Sequence, residues 1–342
     1  MKLFRIMWGL VKIGLPEPLV GAIYRGRLAE VDGRAIDPKA QALSDLVALV
    51  RDPAVQMTVE QSRKQLAGFV ARFDLPGPDV RRTDIELPGA EGPRAARLYQ
   101  PESGGKAGTL LYLHGGGWIQ GSIDSHDALC AKLAAGADVR VISYDYRLAP
   151  EHKYPSASDD ILAAYLGLIG GAGKVKAEPG KLVVGGDSAG GNLTAALMHD
   201  LAEGGYPLPA GQMLIYPAVD GTLSSQSMAS LADSPLLPRD RIDWYLDLYL
   251  PEGQDMTAPR FSPLYSTRLA GQPPAFVLAA GHDPLWDDGH AYAGALQAAG
   301  VPVEMAAYPG QVHGFLNLTR ILPQGTEAVE RAVTWLRGVL KG

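Results

Sequence analysis

Downstream of residue 108 the chain alternates short apolar runs with longer stretches whose apolar residues recur every three or four positions. The runs cover residues 109–113, 139–144, 181–184, 212–216, 275–279 and 303–307. Segments of helical period, such as 128–135, 161–169 and 292–299, lie between most of them. Apolar strands separated by helices predict a parallel sheet covered on both faces, and therefore an α/β fold. Ahead of this series, residues 83–87 and 94–99 alternate polar and apolar positions around a linker bounded by Pro88 and Pro93, which predicts an antiparallel pair. The interval between Tyr216 and Ala275 is too long for a simple crossover. It carries an amphipathic stretch from Ile242 to Tyr249 and is expected to be an inserted helical lobe.

Residues 36–75 have a helical pattern. Asp37 and Pro38 are placed as N-cap and first helical residue, and a second helix is expected to begin at Thr58 and end before the breaker Pro76-Gly77-Pro78. That breaker divides an N-terminal helical segment, 1–78, from a main domain, 79–342. Within the first 33 residues Leu3, Phe4, Ile6, Met7, Leu10 and Val11 make an apolar helical face interrupted by Arg5, Lys12 and Pro16. The stretch is too short to span a bilayer and lacks a signal-peptide cleavage site. The favoured expectation is that this face packs over the main domain as part of a lid; the alternative is peripheral contact with a membrane surface.

Composition narrows the class. Apolar residues make up 46% and charged residues 20% of 342 residues, as in ordinary soluble domains. A formal net charge of -6, with no cluster of Lys and Arg on any predicted element, argues against nucleic acid as a partner. The single cysteine, Cys130, lies in an apolar run and reads as a buried structural thiol; one cysteine excludes an intrachain disulfide and fits the cytoplasm.

Chemistry enters at Gly186-Asp187-Ser188-Ala189-Gly190. With 41 glycines in the chain a Gly-x-Ser-x-Gly match is weak alone. Here an apolar run, Leu182-Val183-Val184, enters it, and a Leu193, Leu197, Leu201 stripe leaves it, which is the strand-turn-helix setting in which a serine projects as a nucleophile. A phosphate-binding loop does not fit: Gly170-Gly171-Ala172-Gly173-Lys174 is followed by Val175, where that motif needs Ser or Thr. A serine hydroxyl needs a base, and the base an orienting acid, in the chain order serine, acid, histidine. Asp283 follows the apolar run 275–279 and His313 the run 303–307, so both are expected at the strand ends where Ser188 sits. His282 is a weaker rival base, while His126, His152, His199 and His290 are assigned to helices or polar turns without a catalytic part. No His-Glu-x-x-His spacing indicates a metal site, so neither metal nor cofactor is expected. Finally, His114-Gly115-Gly116-Gly117-Trp118 follows the run 109–113. Three successive glycines cost entropy unless backbone must come close to something, as it does in an oxyanion hole, where each preplaced N–H contributes about 3–4 kcal/mol to transition-state stabilisation.

With these pieces the chain resembles the hormone-sensitive lipase family of esterases, bacterial family IV, in its Gly-Asp-Ser-Ala-Gly subgroup. Asp145-Tyr146-Arg147-Leu148-Ala149-Pro150-Glu151, Asp283-Pro284-Leu285 and His313-Gly314-Phe315 are similar to that family's signatures, whereas residues 1–33 match nothing in it. The resemblance implies the α/β-hydrolase fold, a mostly parallel eight-stranded sheet flanked by helices, with a helical cap from the N-terminal segment and an insertion at about 218–262. It implies a Ser188, His313, Asp283 triad and oxyanion N–H groups from Gly116, Gly117 and Ala189. His114 would shape the oxyanion loop, Trp118 and Phe315 would line an acyl pocket or equally serve as core aromatics, and Asp145, Arg147 and Glu151 would form a buried charged network behind the site. The expected activity is hydrolysis of short to medium acyl esters, a small-molecule reaction compatible with a homodimer. An amidase or lactonase on the same triad, or a non-catalytic ligand receptor, are the alternatives.

Overall fold

The computed structural model describes residues 2–51, 57–171 and 175–341, so Ala172, Gly173 and Lys174 of the glycine run lie outside the described residues. Among the described residues, eight strands form the main sheet. They are β1 (Arg81–Gly89), β2 (Gly92–Gln100), β3 (Thr109–Leu113), β4 (Arg140–Tyr144), β5 (Leu182–Asp187), β6 (Gly211–Ile215), β7 (Ala275–His282) and β8 (Val303–Val312). Their order across the sheet is β8-β7-β6-β5-β3-β4-β2-β1. β2 runs antiparallel to both its neighbours, and the pairs from β4 through β3 and β5 to β8 are all parallel. Every residue of β3, β5, β6 and β7 is buried, as strands packed on both faces require. The expected α/β architecture and eight-stranded sheet are therefore present. Strands β7 and β8 run longer than their apolar cores because pairing continues into the polar loops beyond them.

The helices are α1 (Lys2–Gly14), α2 (Glu17–Ile23), α3 (Pro38–Val50), α4 (Val59–Phe73), α5 (Asp127–Ala137), α6 (Ser156–Gly170), α7 (Ala189–Glu203), α8 (Gln226–Ser230), α9 (Arg239–Tyr249), α10 (Trp286–Ala298) and α11 (Pro323–Lys341). Separate apolar clusters fill the space beside the sheet. One joins α5 and α11 to the N-terminal helices; another joins α6, α7 and the lobe around α9. Asp37 precedes α3 as placed, with Pro38 first. Its carboxylate does not cap the helix and instead accepts from Gln311 Nε2 at 2.6 Å. Thr58 caps α4 in a reciprocal box with Gln61. Two elements escaped the sequence reading. Helix α2 begins among prolines, which suit a first turn as well as a break. A two-residue hairpin pairs Glu30–Val31 with Arg34–Ala35.

The lid expectation for the first helix is corrected. α1 docks on α3 along a narrow edge, with Gly9 and Ile13 buried, and leaves Leu3, Phe4, Met7, Trp8, Leu10 and Val11 facing out. The hairpin after α2 is what fastens this segment to the sheet: Arg34 Nε donates to the Gly281 carbonyl at 2.9 Å and the Arg34 carbonyl accepts from His282 Nε2 at 3.0 Å. No helix among the described residues is long and apolar enough to cross a membrane.

Candidate active site

Parallel strands end on the same edge of the sheet, and the register decides which of their following residues meet. Val312 of β8 pairs with His282 of β7, so the next residue on each, His313 and Asp283, fall side by side. Asp187, the last residue of β5, pairs with Ile215 of β6, and Ser188 follows it at the entrance to α7. The three side chains are in hydrogen-bond contact. His313 Nδ1 lies 2.6 Å from Asp283 Oδ2, and Ser188 Oγ lies 3.0 Å from His313 Nε2. A carboxylate only accepts, so Nδ1 carries the proton and Nε2 is left to accept from the serine hydroxyl. Asp283 is fully buried and its other oxygen accepts from the Leu285 amide at 3.0 Å.

Ser188 has φ 55° and ψ -118°, a conformation that costs a non-glycine residue about 1–3 kcal/mol. The turn is held by its surroundings. The Ser188 amide donates to the Ile215 carbonyl at 2.8 Å, and a Cβ on Gly190 would collide with the Leu113 carbonyl oxygen, so only glycine lets α7 close against β3 here. The first amides of α7 point at the space above Ser188, since a helix start leaves its N–H groups without intrahelical partners.

The oxyanion-loop candidates sit opposite. Gly116 and Gly117 have φ of 124° and 60°, and no hydrogen bond among the described residues uses either N–H. The ring of Tyr245 lies where a Cβ on Gly117 would be. Gln120 Nε2 donates to Tyr245 Oη at 2.8 Å and Ser62 Oγ donates to Gln120 Oε1 at 2.5 Å, so α4, the loop and α9 are tied in one chain of bonds. His114 is fully buried. Burial, with His126 nearby, pushes it down to about 4, so it is neutral near pH 7, donating from Nδ1 to the Gly115 carbonyl at 2.9 Å. Its Nε2, 4.0 Å from Asp145, has no hydrogen-bond partner among the described residues.

A second group of buried residues was not anticipated. The Asp187 carboxylate accepts from Tyr112 Oη at 2.7 Å and from the Gly115 amide at 3.0 Å, and His126 Nε2 lies 3.2 Å from its Oδ1. Burial raises its pKa, but His126, Tyr112 and the amide together outweigh that and hold it below the ordinary carboxylate range. His126, assigned from sequence to a polar turn, is thus part of the scaffold that joins the residue before Ser188 to the glycine loop. Its contact to Asp187 spans 61 positions, and no local pattern announces it. His282, the rival base, faces away to the Arg34 carbonyl.

Ser188, Ala189, Gly117 and Trp118 form the floor of a cleft of about 460 Å³, part of it open to solvent. Its walls are largely apolar and come mostly from the stretch between β6 and β7, including Leu223, Leu237, Ile242, Leu246 and Phe261. Trp118 lines it while stacked on Tyr249, ring centroids 4.7 Å apart. Phe315 does not. It is fully buried between Tyr216 and Tyr308, with centroids 6.2 and 5.2 Å away, because the turn after His313 folds its ring into the core. The expected buried network also divides. Arg147 is buried and pairs with Asp160 at 2.8 Å, but the Glu151 side chain is 54% exposed and bonded to Arg63, and Asp145 is part-exposed, 4.0 Å from Arg94. Among the described residues no group of three or more His, Cys, Asp or Glu side chains is arranged to hold a metal ion.

A serine-histidine-aspartate contact, its aspartate buried, on the strand-end edge of such a sheet defines the class of the α/β hydrolases, and the profile described as alpha/beta hydrolase fold matches residues 110–317. Within that class the chain belongs to the hormone-sensitive-lipase-like family IV. It is 38% identical to the carboxylic ester hydrolase LipN of Mycobacterium tuberculosis over 98% of this chain and 93% of that one. The esterase LipI of the same organism is 40% identical over 78% of this chain and 84% of its own. Among solved structures, the ester-hydrolase from the Lake Arreo metagenome complexed with a bipyridine phosphonate derivative superposes with a TM-score of 0.85 at 37% identity. It covers 90% of this chain and 100% of that one.

Proposed function

We propose that the protein is a carboxylesterase that hydrolyses short to medium acyl-chain esters by way of an acyl-enzyme on Ser188. The observation that carries the reading is the continuous relay from Ser188 Oγ through His313 to buried Asp283 at the floor of an apolar cleft. The names of the relatives, carboxylic ester hydrolase and esterase, support the same class.

In this mechanism Ser188 Oγ attacks the ester carbonyl as its proton passes to His313 Nε2. The carbonyl oxygen becomes an alkoxide facing the N–H groups of Gly116, Gly117 and Ala189, and Asp283 stabilises the imidazolium. Collapse expels the alcohol, which takes the proton from His313. A water molecule, deprotonated by His313, then attacks the acyl-enzyme, and the acid leaves as Ser188 regains its proton. Helix α4 and the insertion at about 218–262 serve as the cap, the insertion supplying most of the acyl-pocket wall and Trp118 its base.

The test is covalent. Ser188→Ala is expected to lower kcat on an aryl ester by about a thousandfold or more and to abolish labelling by a fluorophosphonate. A variant that keeps near-wild-type turnover, or a wild-type protein that does not label, would overturn the reading.

A further inference from the structure

The segment least explained by the site is α1. Its contact edge, Ile6, Gly9 and Ile13, lies on α3, and the opposite face is bare and apolar: Phe4 is 74% exposed, Leu3 71%, Met7 58% and Trp8 47%. At 100° per residue, Leu10, Leu3, Met7, Val11, Phe4 and Trp8 cover an unbroken arc of about 160°. None of these residues lines the cleft above Ser188. A helix of this kind, exposed over nearly half its circumference, needs a cover.

Charge identifies the cover. The whole chain has a formal charge of -6, yet residues 2–27 carry Lys2, Arg5, Lys12, Arg25 and Arg27 against Glu17 alone. Lys12 is engaged by Tyr24 and Asp45, whereas Lys2, Arg5 and Arg25 are exposed and make no ion pair among the described residues. On the wheel, Arg5 and Lys12 flank the apolar arc on the side of Trp8. A wide apolar arc with an aromatic pair and a free cation, Arg5, at its margin is the pattern of a helix lying in a bilayer interface, with rings at headgroup depth and basic groups on lipid phosphates. A second copy fits worse, because a symmetric pairing of two α1 helices would bring two sets of uncompensated cations together.

We propose that α1 is a membrane-docking helix that seats the protein on anionic lipid through Leu3, Phe4, Met7 and Trp8, assisted by Lys2 and Arg5. This inference stands independently of the reaction assigned to the cleft.

The experiment is sedimentation of the full chain with phosphatidylcholine vesicles, with and without about 30% phosphatidylglycerol. Expected is binding to the anionic vesicles at least about tenfold tighter than to neutral ones, weakened by salt. Phe4→Ser with Trp8→Ser should lower it about tenfold or more, as should Lys2→Glu with Arg5→Glu. Quenching by brominated lipid should be stronger in the wild type than in Trp8→Phe, a variant that keeps the helix apolar. Failure to bind anionic vesicles, binding indifferent to these substitutions, or quenching unchanged in Trp8→Phe would overturn the proposal. So would light scattering that finds a dimer in the wild type and a monomer in the Phe4, Trp8 double variant, since the face would then be covered by protein.

Discussion

Asp187 shows how much the chemistry depends on residues that touch no substrate. Its carboxylate grips the Gly115 amide, Tyr112 and His126 while its own backbone delivers Ser188 to the turn. Asp187→Asn keeps the shape but removes the charge facing His126. The expected result is a fall in kcat of about tenfold to a hundredfold with KM little changed, because the glycine loop shifts relative to the reacting carbonyl. A loss confined to KM would refute this. Gly117 offers a sharper case. An alanine there must accept φ 60° and displace the Tyr245 ring, so Gly117→Ala is expected to lower kcat about a hundredfold, again readable on a soluble aryl ester. At this scale the sequence was most informative about Ser188, Asp283 and His313, because each follows an apolar strand and register does the rest. It was silent on His126 and misleading on Phe315, since neither the contact to Asp187 nor the inward turn after Gly314 has a local signature.

Elements bring a different kind of dependence, in which a buried group holds two segments together. Asp288, in the first turn of α10, accepts from the amides of Val219 and Asp220 at 3.0 Å each and so fastens the start of the inserted lobe. Burial pushes it up to about 8 from an ordinary 3.8, a shift that the two amides oppose without cancelling. A carboxyl whose folded pKa is raised adds stability in full below its unfolded pKa, and that stability is lost as pH rises toward about 8. The unfolding free energy of the wild type, read by denaturant titration, should therefore fall between about pH 5 and 8, by on the order of 1 kcal/mol per pH unit from this group, and Asp288→Asn should flatten the profile. Parallel profiles would show that Asp288 does not titrate in that window. For α4 the cap itself is the prediction: Thr58→Ala removes one half of the box with Gln61 and is expected to cost about 1 kcal/mol in denaturant unfolding. That box was legible in the sequence, as were six of the eight strands by their apolar runs. The hairpin at residues 30–35 was not, because two-residue strands have no period to read.

Over the whole molecule, the cleft is built by chain from both sides of the sheet edge but roofed by the insertion. Leu223, Leu237, Ile242 and Leu246 close over Ser188. A pocket with such a limit predicts that kcat/KM on p-nitrophenyl esters peaks at short or medium acyl length and falls at least about tenfold by dodecanoyl, each methylene beyond the wall losing its burial. A profile that keeps rising to dodecanoyl would mean that the roof opens. Length alone sets the stretch between Tyr216 and Ala275 apart in the sequence, whereas no local pattern distinguishes the placement of α1 from that of α4. α4 reaches the glycine loop through Ser62, whereas α1 packs on α3 and contributes no residue to the cleft lining.

The seam at residues 34–37 has a consequence for how the protein is made. Arg34 is fixed to Gly281 and His282, and the Asp37 amide to the Gly310 carbonyl at 2.9 Å, partners more than two hundred positions later in the chain. On the ribosome the first segment emerges early and the partners of this seam last, so for most of synthesis the seam has nothing to settle on. Nascent chains arrested before residue 303 should leave residues 1–78 open to protease, and those arrested with all 342 residues clear of the exit tunnel should protect them. The interval between is the period in which this protein most needs a chaperone.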